Sequence, residues 1–282
     1  MRQRAAEPTR RRAAWLVASV CVAVLVVGAL AAPKAIHADV VRAAPPRDVP
    51  VVPAHPGPIR VAVYTDSLGF EARGVVIVKL AAAGLDVRYS GRPGTAPCDW
   101  TTPDHMGADA AWAPDVFVLE FSGNNATPCT VGPAGPLTGT ALVDSYARSA
   151  DEVMRYFPSA RVFFASFPVR RARFVSGDPT DTELNALWAS MPRRYRNARF
   201  VDAAPAVLDD GRYADTLPCR PGEPSCGVGA PPGRVKVRND DGLHFCPVKI
   251  VGPWVCNAYS PGAVRYGSAL ADDVLAGIRA TD

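Results

Sequence analysis

From Ile59 onward, short runs of β-branched and aromatic residues alternate with stretches of helical length, the pattern of βαβ units that build a parallel sheet. Ile59–Thr65 (IRVAVYT) predicts a first strand, followed by a helix over much of Phe70–Ala83 and a second strand at Leu85–Tyr89. A loop rich in glycine and proline comes next. Val116–Phe121 (VFVLEF) is apolar throughout except for Glu120, as expected of a strand covered on both faces. A helix across Leu137–Tyr156, a fourth strand at Arg161–Phe167 (RVFFASF), a helix over Thr182–Tyr195 and a short fifth strand at Arg199–Val201 continue the alternation. Leu217–Gly233 holds too much proline and glycine for regular structure, so a disulfide there would stand in for missing core. Ser260 is expected to cap a last helix running to about Ile278, with Pro261 at its first position.

The chain ahead of Ile59 has a different texture. Ala13–Ala32 carries no charge and has the length that spans a bilayer as a helix. Arg2, Arg4, Arg10, Arg11 and Arg12 precede it and orient the amino terminus to the cytoplasm. A cleaved signal peptide is the competing reading, because Ala29-Leu30-Ala31 offers the small residues that signal peptidase accepts. Either way residues 59–282 are exported. Pro33–Pro58 contains seven prolines and no periodicity, and reads as an extended spacer. The expected organisation is a basic tail (1–12), a membrane anchor (13–32), a linker (33–58) and one catalytic domain (59–282), on the outer side of the plasma membrane or secreted.

Composition narrows the partners and the compartment. The formal net charge of +4 is largely the five arginines of the tail, so the domain lacks the concentrated basic face that nucleic acid requires. Of seven cysteines, Cys21 lies in the apolar run; the other six suit an oxidising compartment. Closeness in sequence favours Cys219–Cys226 and Cys246–Cys256, which leaves Cys98–Cys129. A zinc site would be the alternative use of these cysteines, but no C-x-x-C pair occurs.

In open parallel sheets ligands bind beyond the carboxyl ends of the strands. Thr65-Asp66-Ser67-Leu68 follows strand one and would set a serine hydroxyl at a helix amino terminus, where backbone N–H groups can stabilise an oxyanion. The plain alternative is an N-cap. Ser122-Gly123-Asn124-Asn125 follows strand three at the same edge, and an asparagine amide there can serve as a further oxyanion donor or simply as a turn residue. Asp241-Gly242-Leu243-His244 offers a base with an acid three residues earlier to fix its tautomer. His37 and His55 fall in the spacer and His105 in a loop, so none of them is a better base. Arg170, Arg171 and Arg173 follow strand four, either as solvated surface or as a patch for an anionic glycan.

Taken together, in this order, these blocks resemble the SGNH (GDSL-like) hydrolase superfamily, whose blocks read G-D-S-L, G-x-N-D and D-x-x-H. C-D-W at Cys98–Trp100 and D-G-L-H-F-C-P at Asp241–Pro247 look like its exported actinobacterial members. The resemblance covers Ile59 to the end and implies a three-layer α/β/α sandwich around a flavodoxin-like parallel sheet of about five strands. It implies Ser67 as nucleophile, His244 as base, Asp241 as its orienting acid, an oxyanion hole from Ser67, Gly94 and Asn124, and neither cofactor nor metal. Gly91 is the alternative to Gly94. Thr65, Ser122 and Asn125 depart from the family's glycine, glycine and aspartate. The function implied is removal of acetyl-like O-acyl groups from cell-envelope carbohydrate or related esters. The alternatives are O-acyl transfer to an envelope glycan, supplied by a membrane acyltransferase partner, or a glycan-binding module without catalysis.

Overall fold

The computed structural model describes residues 51–171, 180–246 and 260–280. Five strands form one parallel sheet: β1 (Arg60–Thr65), β2 (Asp86–Gly91), β3 (Val116–Glu120), β4 (Arg161–Ala165) and β5 (Ala198–Val201). Their order is β2-β1-β3-β4-β5. β1 and β3 are buried along nearly their whole length, which is why they read as unbroken apolar runs.

Among the described residues five α-helices cover the sheet: α1 (Ser67–Ala82), α2 (Pro103–Trp112), α3 (Gly139–Tyr156), α4 (Thr180–Arg194) and α5 (Pro261–Arg279). α1 packs with α5, while α3 packs with α2 and α4, giving a three-layer α/β/α sandwich. The spacing explains the faces: α3 buries Leu142, Tyr146, Ala150 and Val153, and α5 buries Tyr266, Leu270, Val274 and Ile278, each at intervals of three or four residues. In the core, Phe117 stacks between Tyr64 and Phe157, with ring centroids 5.0 and 4.5 Å away.

Three expectations need correction. α2 occupies part of the stretch expected as loop, so His105 is helical. Its only buried residues are Met106 and Asp109, too few to leave an apolar period in the sequence. Ser260 holds the N-cap position of α5 but its hydroxyl does not cap; it donates to the carbonyl of Phe245. The end of the proline-rich stretch does not stand free: Val51 N–H donates to Ile278 O (3.1 Å), and Asp115 accepts from Ala54 N–H (3.0 Å) and contacts His55 Nε2 (3.1 Å). These contacts sit below the amino end of β3.

Beyond the sheet, β6 (Thr216–Pro218) pairs antiparallel with β7 (Arg234–Lys236), and Leu217, Val235 and Val237 make a small second core. The glycine- and proline-rich segment between them is stapled by Cys219–Cys226 and docked on α5 by Arg265, whose Nε donates to Glu223 Oε1 at 2.7 Å with both side chains buried. Cys98–Cys129 joins the loop after β2 to the loop after β3. Cys256, and with it the expected Cys246–Cys256 bridge, lies outside the described residues, as does Ala13–Ala32. No described helix is long and apolar enough to cross a membrane.

The Cys219–Cys226 bridge closes a loop with a sequence separation of only 7 residues. Replacing both cysteines by serine is therefore expected to cost about 2 kcal/mol, near the low end for disulfides. Urea unfolding should show this loss with the parallel sheet intact by far-UV circular dichroism.

Candidate active site

Going from β1 to β2 and back to β3 reverses the winding, and the crevice at such a switch point is where parallel sheets bind ligands. Asp66 occupies the turn out of β1. It is fully buried and caps α1 by accepting Leu68 N–H at Oδ1 (3.0 Å). Its other oxygen accepts Ser122 N–H (2.6 Å), Ser122 Oγ–H (2.7 Å) and Asn124 Nδ2–H (3.0 Å). One carboxylate thus joins the turns after β1 and β3. Burial pushes Asp66 upward, and the Ser122 and Leu68 hydrogen bonds oppose it.

Ser67 is the first residue of α1, and the N–H of such a residue has no partner in its own helix. Ser67 Oγ lies 3.0 Å from His244 Nε2, and His244 Nδ1 lies 2.7 Å from Asp241 Oδ2. A carboxylate only accepts, so Nδ1 carries the proton and Nε2 presents its lone pair to the serine. Asp241 Oδ1 also accepts the N–H groups of Leu243 (2.8 Å) and His244 (3.0 Å), folding the turn on itself. Burial opposes charge on Asp241, but the His244 ring and these two N–H groups hold it well below the usual carboxylate range. Burial alone would lower His244; the Asp241 hydrogen bond and the charges of Glu71, Asp241 and Asp66 reverse that and raise it above 6.5.

Asn124 points into the same crevice with its amide also donating to Thr95 O (2.9 Å). Gly94 precedes Thr95 in an exposed turn with φ of +76°. Gly91 ends β2 against Thr65, whose Oγ1 would lie 2.6 Å from any Cβ placed there. Asn125 is turned away and donates to Leu137 O (3.0 Å). The expected arginine patch is engaged with protein groups: Arg170 pairs with Asp181, and Arg171 with Asp215 and Tyr213. Arg173 lies outside the described residues. Among the described residues no group of three or more His, Cys, Asp or Glu side chains could hold a metal ion.

No family model and no curated protein matches this sequence. Among solved structures, the chain is similar to a carbohydrate esterase family 3 protein from Talaromyces cellulolyticus, with 13% identity and a TM-score of 0.50, over 79% of this chain and 100% of that one. It shares that esterase's fold. It also matches the catalytic domain of peptidoglycan O-acetyltransferase A from Streptococcus pneumoniae (11% identity, TM-score 0.49, 78% of this chain and 94% of that one). A lipase/acylhydrolase from Enterococcus faecalis matches with 16% identity and a TM-score of 0.48, over 76% and 94%.

Within this esterase-like fold, sequence reasoning missed Glu120 and Glu71. Glu120 is fully buried beneath the site, accepting Gly69 N–H (2.9 Å) and Tyr266 OH (3.1 Å). Burial, and then the charge of Asp66, push it well above the ordinary range, opposed by the Tyr266 and Gly69 hydrogen bonds. Its isolation in an apolar strand was the available signal. Thr65, in place of the glycine expected there, fits because Gly69 and Gly91 lie against it.

That fit is testable. A Cβ at Gly69 would sit 2.5 Å from both Thr65 and Glu120 Oε2. Gly69→Ala should therefore destabilise by about 1–3 kcal/mol, as overpacking does. Adding Thr65→Gly should recover part of that loss, and strictly additive effects in a double-mutant denaturation cycle would refute the complementarity.

Proposed function

We propose that this chain is a serine esterase of the SGNH kind that removes acetyl-like acyl groups from carbohydrate. The observation that carries the reading is the hydrogen-bonded series Ser67–His244–Asp241 at the carboxyl edge of the sheet. The fold shared with a family 3 carbohydrate esterase supports the substrate class.

In this reading His244 Nε2 takes the proton of Ser67 as Oγ attacks the acyl carbonyl. The N–H groups of Ser67 and Gly94 and the amide of Asn124 receive the tetrahedral oxyanion. The Asp66 bond fixes the Asn124 rotamer, and the Thr95 carbonyl is the acceptor that the oxyanion shares or displaces. The imidazolium, stabilised by Asp241, returns its proton to the leaving sugar oxygen. Water, deprotonated by His244, then attacks the acyl-Ser67 ester and releases the acid. A sugar hydroxyl in the place of that water would make the same site a transferase.

A fluorophosphonate should label Ser67 alone, and Ser67→Ala should abolish both labelling and acetyl-ester cleavage with an unchanged Tm. His244→Ala should do nearly the same, because the residues act as one unit. Asp241→Asn should lower kcat by up to about ten-thousandfold, and Asn124→Ala by roughly a hundred- to a thousandfold. Full activity without His244, or labelling at another serine, would falsify this reading. Transfer to an added glycan in preference to water would convert the esterase into a transferase.

The domain, in this reading, works outside the plasma membrane behind an anchor at Ala13–Ala32. The bridges Cys98–Cys129 and Cys219–Cys226 support that compartment. Protease added to intact cells should release the domain; protection from it would place the domain inside.

A further inference from the structure

α1 carries Glu71 four residues after Ser67, one turn along the same face. Ser67 meets the ring of His244, and Glu71 meets the backbone just beyond it: Oε2 accepts the Phe245 N–H at 2.6 Å. On the other side of the histidine, Arg238 Nη1 donates to the Leu243 carbonyl at 2.9 Å. Between these two anchors Asn239 N–H donates to the His244 carbonyl at 2.6 Å. Both charged side chains are out of solvent, with Glu71 9% and Arg238 0% exposed.

Arg238 is an expensive residue for a purely structural role. Its Nε and Nη2 are buried with no hydrogen-bond partner among the described residues, and burial pushes its guanidinium down to about 10. Phe245 packs on it, with the guanidinium carbon 5.0 Å from the ring centroid. An apolar residue of similar size would fill this space with less desolvation. What such a residue cannot do is donate to the Leu243 carbonyl. Behind the turn, Gly262 lets α5 approach so closely that any Cβ there would collide with Val237 O, and Ser260 Oγ–H donates to the Phe245 carbonyl. The backbone around His244 is thereby fixed from three elements.

We propose that Glu71 and Arg238 are positioning residues that clamp the peptide groups on either side of His244 and, through Glu71, sustain the basicity of its ring. The proposal rests on the reading of His244 as the base. The charged groups facing the imidazole among the described residues are Asp241 from its own turn, and Glu71 and Asp66 from α1 and its cap. Arg238, from the segment after β7, faces Glu71 and Asp241. Burial pushes Glu71 up to about 7, opposed by the charge of His244 and by the Phe245 N–H. The sign is fixed. An anion beside the imidazole favours its protonated form, so losing that anion lets His244 become neutral at lower pH.

The test uses the full chain in detergent, labelled with ¹⁵N-histidine, in wild-type and Glu71→Gln forms. Glutamine retains an acceptor for Phe245 N–H and removes the charge. The His244 titration midpoint is expected to move to lower pH, and the acid limb of kcat/KM to move with it. An unchanged midpoint would overturn the role of Glu71. Arg238→Met should lower kcat about ten- to a hundredfold with KM within about twofold, as misplaced catalytic groups do, and Arg238→Lys, which keeps a donor, should recover part of it. Arg238→Met with wild-type kcat would overturn the clamp; if that variant does not fold, failure of the lysine variant to retain more activity than Arg238→Gln would do so. The titration reads His244 without any substrate. It therefore judges Glu71 even where the ester-cleavage reading has failed, and wild-type cleavage judges that reading where the titration has failed.

Discussion

A carboxylate without water is costly, and Asp66 has none: it is fully buried at the carboxyl edge of the sheet. Burial raises its pKa, and the donors that oppose this converge on it from two turns that are far apart in sequence. Leu68 N–H comes from α1, and Ser122 and Asn124 come from the turn after β3. If either turn shifted, the ion would lose partners worth roughly 1.5–3 kcal/mol each. The crevice walls are therefore set in position by the need to satisfy one charge. Ser67 and Asn124 are neighbours of that charge, and their placement follows from it.

Ser122 and Thr65, which stand where the resembled sequence pattern has glycine, obey the same constraint. Ser122 contributes a hydroxyl donor to Asp66 that glycine could not, while its backbone N–H still donates as any residue's would. Thr65 adds bulk beneath the turn, and the space comes from Gly69 and Gly91 on the neighbouring elements.

β1, β3 and β4 were legible because burial on both faces leaves an apolar run, and α3 and α5 because one buried face leaves a period of three to four. α2 was not legible, since it buries almost nothing. The positions of Ser67, Asn124, Asp241 and His244 could be read because each stands where a strand or a tight turn ends, in an order that matches a known pattern. Glu71 and Arg238 could not. Their partners are backbone groups of the His244 turn, and a backbone N–H or carbonyl looks the same in every sequence. Only the i, i+4 relation of Ser67 and Glu71 hinted at a shared face.

The contact between Ser67 and His244 spans 177 residues of chain. Closing a loop of that length costs several kcal/mol of chain entropy, growing as the logarithm of its length, whereas one neutral hydrogen bond returns about 1 kcal/mol. The serine and histidine therefore cannot find each other on their own; docking of α5 against α1 must bring them together. During synthesis the serine emerges 177 residues before the histidine. Until α5 has packed, Ser67 has no histidine beside it, so the Ser67–His244 contact belongs to the folded state alone.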